Sequence, residues 1–176
     1  MGQSRRQWGW HQLSSRHAQR LVADAKLPPR SVVLDVGAGR GAITAPLVDA
    51  GHRVIAIEAH RGRAAHLESR FGEHVTVVRA DAGQLRLPRR PFHVVASPPY
   101  AITSSLLRSL LQRGSRLQSA HLVIQQQAAQ RWAAGRAPGA GRWLHDFELT
   151  VGASVPRQAF NPPPAVPSAV LVVRRR

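Results

Sequence analysis

The 176-residue chain contains no cysteine. It therefore forms no disulfide and offers no thiolate to a metal. No apolar run approaches the length of a membrane span. Arg5 and Arg6 are followed by Gln7-Trp8-Gly9-Trp10, not by an apolar stretch, so no signal peptide is expected and the cytoplasm is the expected compartment. Acids are scarce: 9 Asp and Glu stand against 25 Lys and Arg, a formal net charge of +16. Lysine is scarcer still, since every basic residue but Lys26 is arginine. So basic a chain carries the electrostatic footprint of a nucleic-acid binder. Arginine adds bidentate contacts to phosphate. The histidines show no i, i+4 pair with a third ligand nearby, so no metal site is expected, and on spacing alone His11 and His17 read as surface or packing residues.

What is present is a globular pattern. Hydrophobic residues make up 43% of the chain, enough for one domain with a substantial core. Residues 1–14 are polar and basic and read as an arm; residues 15–176 read as a single catalytic domain. Helical spacing over 15–26 ends at Pro28-Pro29. Apolar runs then alternate with helical stretches, predicting strands at 32–36, 54–57, 75–78, 92–96 and 120–124. That alternation predicts a largely parallel α/β sheet. Two more strands, at 147–155 and 169–173, lack a helix between them and should form an antiparallel pair at one edge. Residues 135–142 read as a flexible basic loop, and 160–167 as a proline-stiffened turn.

The chain is organised around Leu34-Asp35-Val36-Gly37-Ala38-Gly39-Arg40-Gly41, a strand entering a helix through a glycine-rich loop. The glycines allow a ligand close to the backbone. The spacing departs from the dinucleotide pattern G-x-G-x-x-G. An acid before the first glycine would repel a pyrophosphate and attract the ammonium or sulfonium of S-adenosylmethionine.

In parallel sheets ligands bind beyond the carboxyl ends of the strands. Asp35, Glu58, Asp81 and Ser97 stand at four consecutive strand ends, so the site is expected there. Glu58 is placed to accept from ribose hydroxyls, and Asp81 from an adenine amino group. Ser97-Pro98-Pro99-Tyr100 suits an exocyclic amine acceptor. Its lone pair is delocalised into the ring, and the Ser97 hydroxyl and Pro98 carbonyl can accept its hydrogens and favour a pyramidal nitrogen. The prolines stiffen that carbonyl, and Tyr100 offers a ring for stacking. Phe160, before three prolines, is either a second stacking ring or a core residue.

On these residues, with Gly9-Trp10-His11-Gln12-Leu13, Gln125–Arg131 and Val155–Pro162, nearly the whole chain resembles the Erm-type rRNA adenine N6-methyltransferases. These are related to the housekeeping rRNA adenine dimethyltransferases. The resemblance implies a seven-stranded Rossmann-like class I S-adenosylmethionine-dependent fold. It implies a target adenine in 23S rRNA near the peptide exit tunnel, and macrolide-class resistance. It implies cofactor contacts at His11, Leu13, Asp35, Gly37, Gly39 and Gly41, and at Glu58, Asp81, Ala82 and Ser97. Tyr100 and Phe160 would sandwich the adenine.

The chain departs from the family pattern at Ser97 and Pro98 (usually Asn and Ile or Leu), at Trp10 and Gln12 (usually Gln and Phe), and at Gln127 (usually Glu). Ser-Pro-Pro-Tyr also resembles the motif of cytosine-N4 DNA methyltransferases, and a basic RNA-binding protein with weakened catalysis is the other alternative. No C-terminal helical domain of the family's kind is expected after strand seven, as in a short, mycobacterial-like member. A monomer is expected, gripping RNA through Arg5, Arg6, Arg136, Arg142, Arg174, Arg175 and Arg176.

Overall fold

A computed structural model describes residues 10–176. Seven strands form the main sheet: β2 (Val32–Val36), β3 (Arg53–Ile57), β4 (Val75–Val78), β5 (Phe92–Ala96), β6 (Leu117–Gln125), β7 (Phe147–Val155) and β9 (Ser168–Arg175). Their order is β4-β3-β2-β5-β6-β9-β7. The pairs from β4 through β6 are parallel, with Asp35 beside Ala56 and Leu34 beside Val94. The expected antiparallel pair is present, but β9 lies inside the sheet, antiparallel to both β6 and β7, and β7 is the edge strand. The near-continuous apolar run of β9 suits an interior place, since its Ser168–Leu171 segment is buried on both faces.

Each face of the sheet carries its own core. On one face α1 (Ser15–Ala25), α2 (Thr44–Asp49) and α3 (Arg61–Phe71) cover Val33, Val54, Ala56 and Val95. On the other, α4 (Thr103–Leu111) and α5 (Gln126–Ala133) cover Leu34, Val94, Leu122 and Leu171. Helix α1 buries Ala18, Leu21, Val22 and Ala25, the i, i+3, i+4, i+7 stripe of its sequence. Its N-cap is Ser14, whose hydroxyl accepts from the His17 amide, and it closes on left-handed Lys26. His60 caps α3 in the same way, through the Arg63 amide.

Two segments depart from expectation. The end of the N-terminal arm is part of the fold: β1 (Gln12–Leu13) pairs antiparallel with β8 (Phe160–Asn161), and Leu13 is buried. The 135–142 loop is packed rather than free. Ala137 and Ala140 are buried, and Trp143 just beyond stacks on Trp132 of α5 at 5.7 Å between centroids. No helix among the described residues is long and apolar enough to cross a membrane.

Candidate active site

Strand β2 ends in the glycine loop, and the loop is braced from three sides. The Gly37 and Ala38 amides donate to the Ile57 carbonyl at 2.8 and 3.1 Å. The Gly39 amide donates to Glu58 Oε2 at 2.8 Å. Glu58 Oε1 accepts from the His60 amide at 2.8 Å and from Arg63 Nη2 at 3.0 Å. Glu58 thus ties the loop to the start of α3, a bracing role its strand-end position did not reveal.

Gly37 and Gly39 both have positive φ, 74° and 59°. A Cβ on Gly37 would come within 2.8 Å of Pro99 Cδ, and one on Gly39 within 2.8 Å of Trp10 Nε1. These approaches admit no side chain. Gly41 differs: a Cβ there would meet Phe71 at 2.6 Å, so this glycine serves helix packing and faces away from the cavities. The helix after the loop is also shorter than the sequence suggests. It begins at Thr44, and its first residue turns inward to donate to Asp35 Oδ2 at 2.7 Å.

Asp35 is almost wholly buried. Burial raises its pKa to about 7, and the negative charge of Glu58 adds to the rise, while the Thr44 hydrogen bond opposes it. A cation in the adjoining cleft would favour the ionised form.

Two connected hollows open at the carboxyl ends of the strands. The first, a narrow cavity of about 30 Å³, is lined by His11, Leu13, Asp35, Gly37, Gly39, Ser97, Pro98, Tyr100 and Phe160. The second, about 210 Å³, is lined by Gly37, Glu58, Arg63, Asp81, Ala82 and Ile102. Trp10 and Pro99 border both. The acidic and small residues read from the strand ends therefore meet in one cleft, Gly41 excepted. Asp81 accepts from the Gly83 amide at 3.0 Å, so it caps a turn while lining the second hollow.

The aromatic groups gather in the first hollow. Tyr100 donates or accepts through its hydroxyl with buried Ser168 at the start of β9, which fixes the ring. Burial pushes the Tyr100 pKa up, so the phenol stays neutral at ordinary pH. His11 stacks on Tyr100 at 5.8 Å between centroids and donates from Nδ1 to the Pro162 carbonyl at 2.8 Å. Phe160, 4% exposed, is both a core residue and a wall of the hollow. His11 is more than a surface residue: strand β1 carries it to the base of the cleft.

Trp10 and Arg63 were not singled out as site residues by sequence reasoning. The Trp10 ring lies against the glycine loop, and the Arg63 guanidinium stands 5.2 Å from its centroid while pairing with Glu58. The only sequence signal was Trp10 replacing the family glutamine. Thr44 and Ser168, which hold Asp35 and Tyr100, had none.

The basic residues divide. Arg5 and Arg6 lie outside the described residues. Arg174, Arg175 and Arg176 do not approach the cleft. Arg174 pairs with Ser119 near the start of β6, whereas Ser168 pairs with Gln125 at the cleft end. Arg175 is occupied within the fold: it donates to the carbonyls of Leu117 and Ser115 at 2.7 and 2.6 Å and covers the Phe147 ring. Arg136 and Arg142 are exposed in the segment between α5 and β7. Among the described residues no three His, Asp or Glu side chains are grouped to hold a metal.

Comparison with known proteins gives a consistent picture. The ribosomal RNA adenine dimethylase family model matches residues 1–176. The chain is 32% identical over 163 residues to ribosomal RNA small subunit methyltransferase A of Ralstonia nicotianae, covering 86% of this chain and 57% of that protein. It is 37% identical over 148 residues to the mycinamicin-resistance protein MyrB of Micromonospora griseorubida, covering 82% and 47%. It thus spans about half the length of these relatives. The crystal structure of the 23S rRNA methyltransferase ErmE superposes with a TM-score of 0.83 at 29% identity, covering 92% of this chain and 68% of that one. The architecture is that of the class I S-adenosylmethionine-dependent methyltransferases. With the family model matching residues 1–176, the chain belongs to the ribosomal RNA adenine dimethylase family.

Proposed function

We propose that this protein transfers a methyl group from S-adenosylmethionine to N6 of an adenine in 23S rRNA, near the peptide exit tunnel, with macrolide-type resistance as the consequence. The observation that carries the reading is the meeting of Ser97–Tyr100 with Phe160, Asp35 and the glycine loop around one hollow. The residues present suit the donor. The loop has glycine where a side chain would collide, a buried carboxylate stands beside it, and an acid and small residues line the adjoining hollow. Asp35 would face the donor's cationic end, Glu58 its ribose, and Asp81 with Ala82 its adenine. Bound there, S-adenosylmethionine supplies an electrophilic methyl group on a sulfonium.

The protein's own work is binding and alignment. Ser97 Oγ and the Pro98 carbonyl accept the two hydrogens of the target amine, drawing its lone pair out of the ring. Tyr100, held by Ser168, presents its ring to one face of the base, and Phe160 to the other. Proper alignment of reactants accounts for roughly 7–11 kcal/mol of a barrier. No strong base is required, because the nitrogen becomes acidic once alkylated and releases its proton to water. The target must be unpaired or flipped out to enter.

The deciding experiment offers the protein large-subunit RNA, small-subunit RNA and duplex DNA with isotopically labelled S-adenosylmethionine, then maps the product. N6-methyladenine in the large-subunit RNA is expected. Label on cytosine N4, or on DNA alone, overturns the reading. A second reading, adenine methylation in small-subunit RNA, is favoured by the 32% identity to a small-subunit enzyme, and label confined to that RNA would establish it. Tyr100→Ala should reduce turnover by about 10- to 100-fold, since stacking on a base contributes about 1–3 kcal/mol.

A further inference from the structure

The cleft occupies the carboxyl ends of the strands, yet six exposed arginines gather at the opposite edge of the same sheet. Arg89 and Arg90 lead into β5, and Arg113 and Arg116 lead into β6. Because β9 is reversed, its last residues, Arg174 and Arg176, emerge at that edge too. The register holds the row together: Phe92 is beside Leu117, Ser119 beside Arg174, and Arg175 beside Phe147. These arginines belong to three adjacent strands, β5, β6 and β9, which at about 4.8 Å spacing make the row about 10 Å wide.

All six arginines are exposed. Among the described residues the ion pairs are Arg20–Asp24, Arg63–Glu58 and His145–Asp146, and none involves the row. Of the acids at this end of β7, Asp146 pairs with His145 and Glu148 stands opposite Arg174 in the register, while Arg89, Arg90, Arg113 and Arg116 lead into the strands farther from β7. Arg175 is different, since its bonds to Ser115 and Leu117 fix the backbone from which its neighbours project. An unpaired row of like charges is self-repulsive, and a phosphate backbone relieves that repulsion with geometry suited to guanidinium groups.

We propose that this amino edge of the sheet is a second RNA-phosphate-binding surface, so that the substrate RNA is held at two opposite edges of the domain. The proposal rests on the reading that the cleft methylates RNA. From Ser119 to Gln125 is six strand residues, about 20 Å. A short hairpin seated in the cleft does not reach around that thickness, and a longer ribosomal RNA fragment does. The substrate is therefore an extended or folded RNA, larger than the hairpin carrying the target base.

The test uses the full chain and a fourfold variant, R89Q/R90Q/R113Q/R116Q. Binding to a short target hairpin and to a long ribosomal RNA fragment is followed by fluorescence anisotropy over a range of salt, with methyl transfer to both. The variant should lose at least tenfold in affinity for the long RNA at low salt, and its slope of log K against log salt should fall by about 3. Hairpin affinity, hairpin methylation and thermal melting should not change, and the corresponding fourfold lysine variant should keep the slope. Unchanged affinity and slope on the long RNA overturn the proposal. So does an equal loss on hairpin and long RNA, or competition by polyglutamate as effective as by RNA, which would point to an acidic protein partner. Binding is read without turnover, so the edge is tested even where neither RNA is methylated.

Discussion

Asp35 is the residue whose chemistry is most exposed to test. Its folded pKa of about 7 stands above the usual carboxylate value because the side chain is buried. Binding a cation beside it requires the carboxylate, so affinity for S-adenosylmethionine should rise with pH up to about 7 and level off above. Calorimetry in buffers of different ionisation enthalpy should show proton release below that point, and Asp35→Asn should flatten the profile. For the free chain the sign reverses. The folded state holds this proton more tightly than the unfolded state, so ionisation removes stability as pH rises from about 4 towards 7. Gly39→Val is the steric counterpart. It places a branched side chain at positive φ against Trp10, and donor binding should fall below detection in the same titration.

At the scale of elements, the two-residue pair β1–β8 determines the cleft's floor. Leu13 pairs with Phe160, the Ser14 amide donates to the Ala159 carbonyl at 2.8 Å, and His11 reaches Pro162. Leu13→Ala should cost about 2–5 kcal/mol by the cavity it leaves. It should also weaken donor binding, because Trp10 and His11 lose their anchor. A thermal melt and a cofactor titration on the same sample check both. Periodicity reads strands of five residues well: 32–36 and 92–96 match β2 and β5 to the residue. It cannot read β1 or β8, since two residues define no alternation and their partner lies far along the chain. The packed 135–142 segment escaped for a related reason. Its glycines and arginines look like loop, while its anchoring comes from Ala137, Ala140 and the Trp132–Trp143 stack.

For the whole molecule, a net charge of +16 should make the proposed RNA affinity strongly salt-dependent. Each phosphate neutralised contributes about 0.7–0.9 to the slope of log K against log salt. A shallow slope in anisotropy titrations would contradict the reading of the arginines as phosphate contacts. The charge is not spread evenly over the function. Arg63 is committed to Glu58 inside the cleft and Arg175 to backbone carbonyls, whereas Arg89, Arg90, Arg113 and Arg116 are exposed at the amino edge of the sheet.

The sequence by itself determined the α/β alternation and the presence of Asp35, Glu58, Asp81 and Ser97 at successive strand ends. Those features depend on local periodicity and on the rule that parallel strands present their carboxyl ends together. Only the tertiary structure decided that β9 inserts between β6 and β7, that Phe160 and His11 join Tyr100, and that Glu58, read from the sequence as a ribose acceptor, also braces the glycine loop. It also decided that Arg174–Arg176 face away from the cleft. These outcomes depend on strand direction and on contacts between distant segments, where burial of the whole core, not the pattern of any one segment, selects the arrangement.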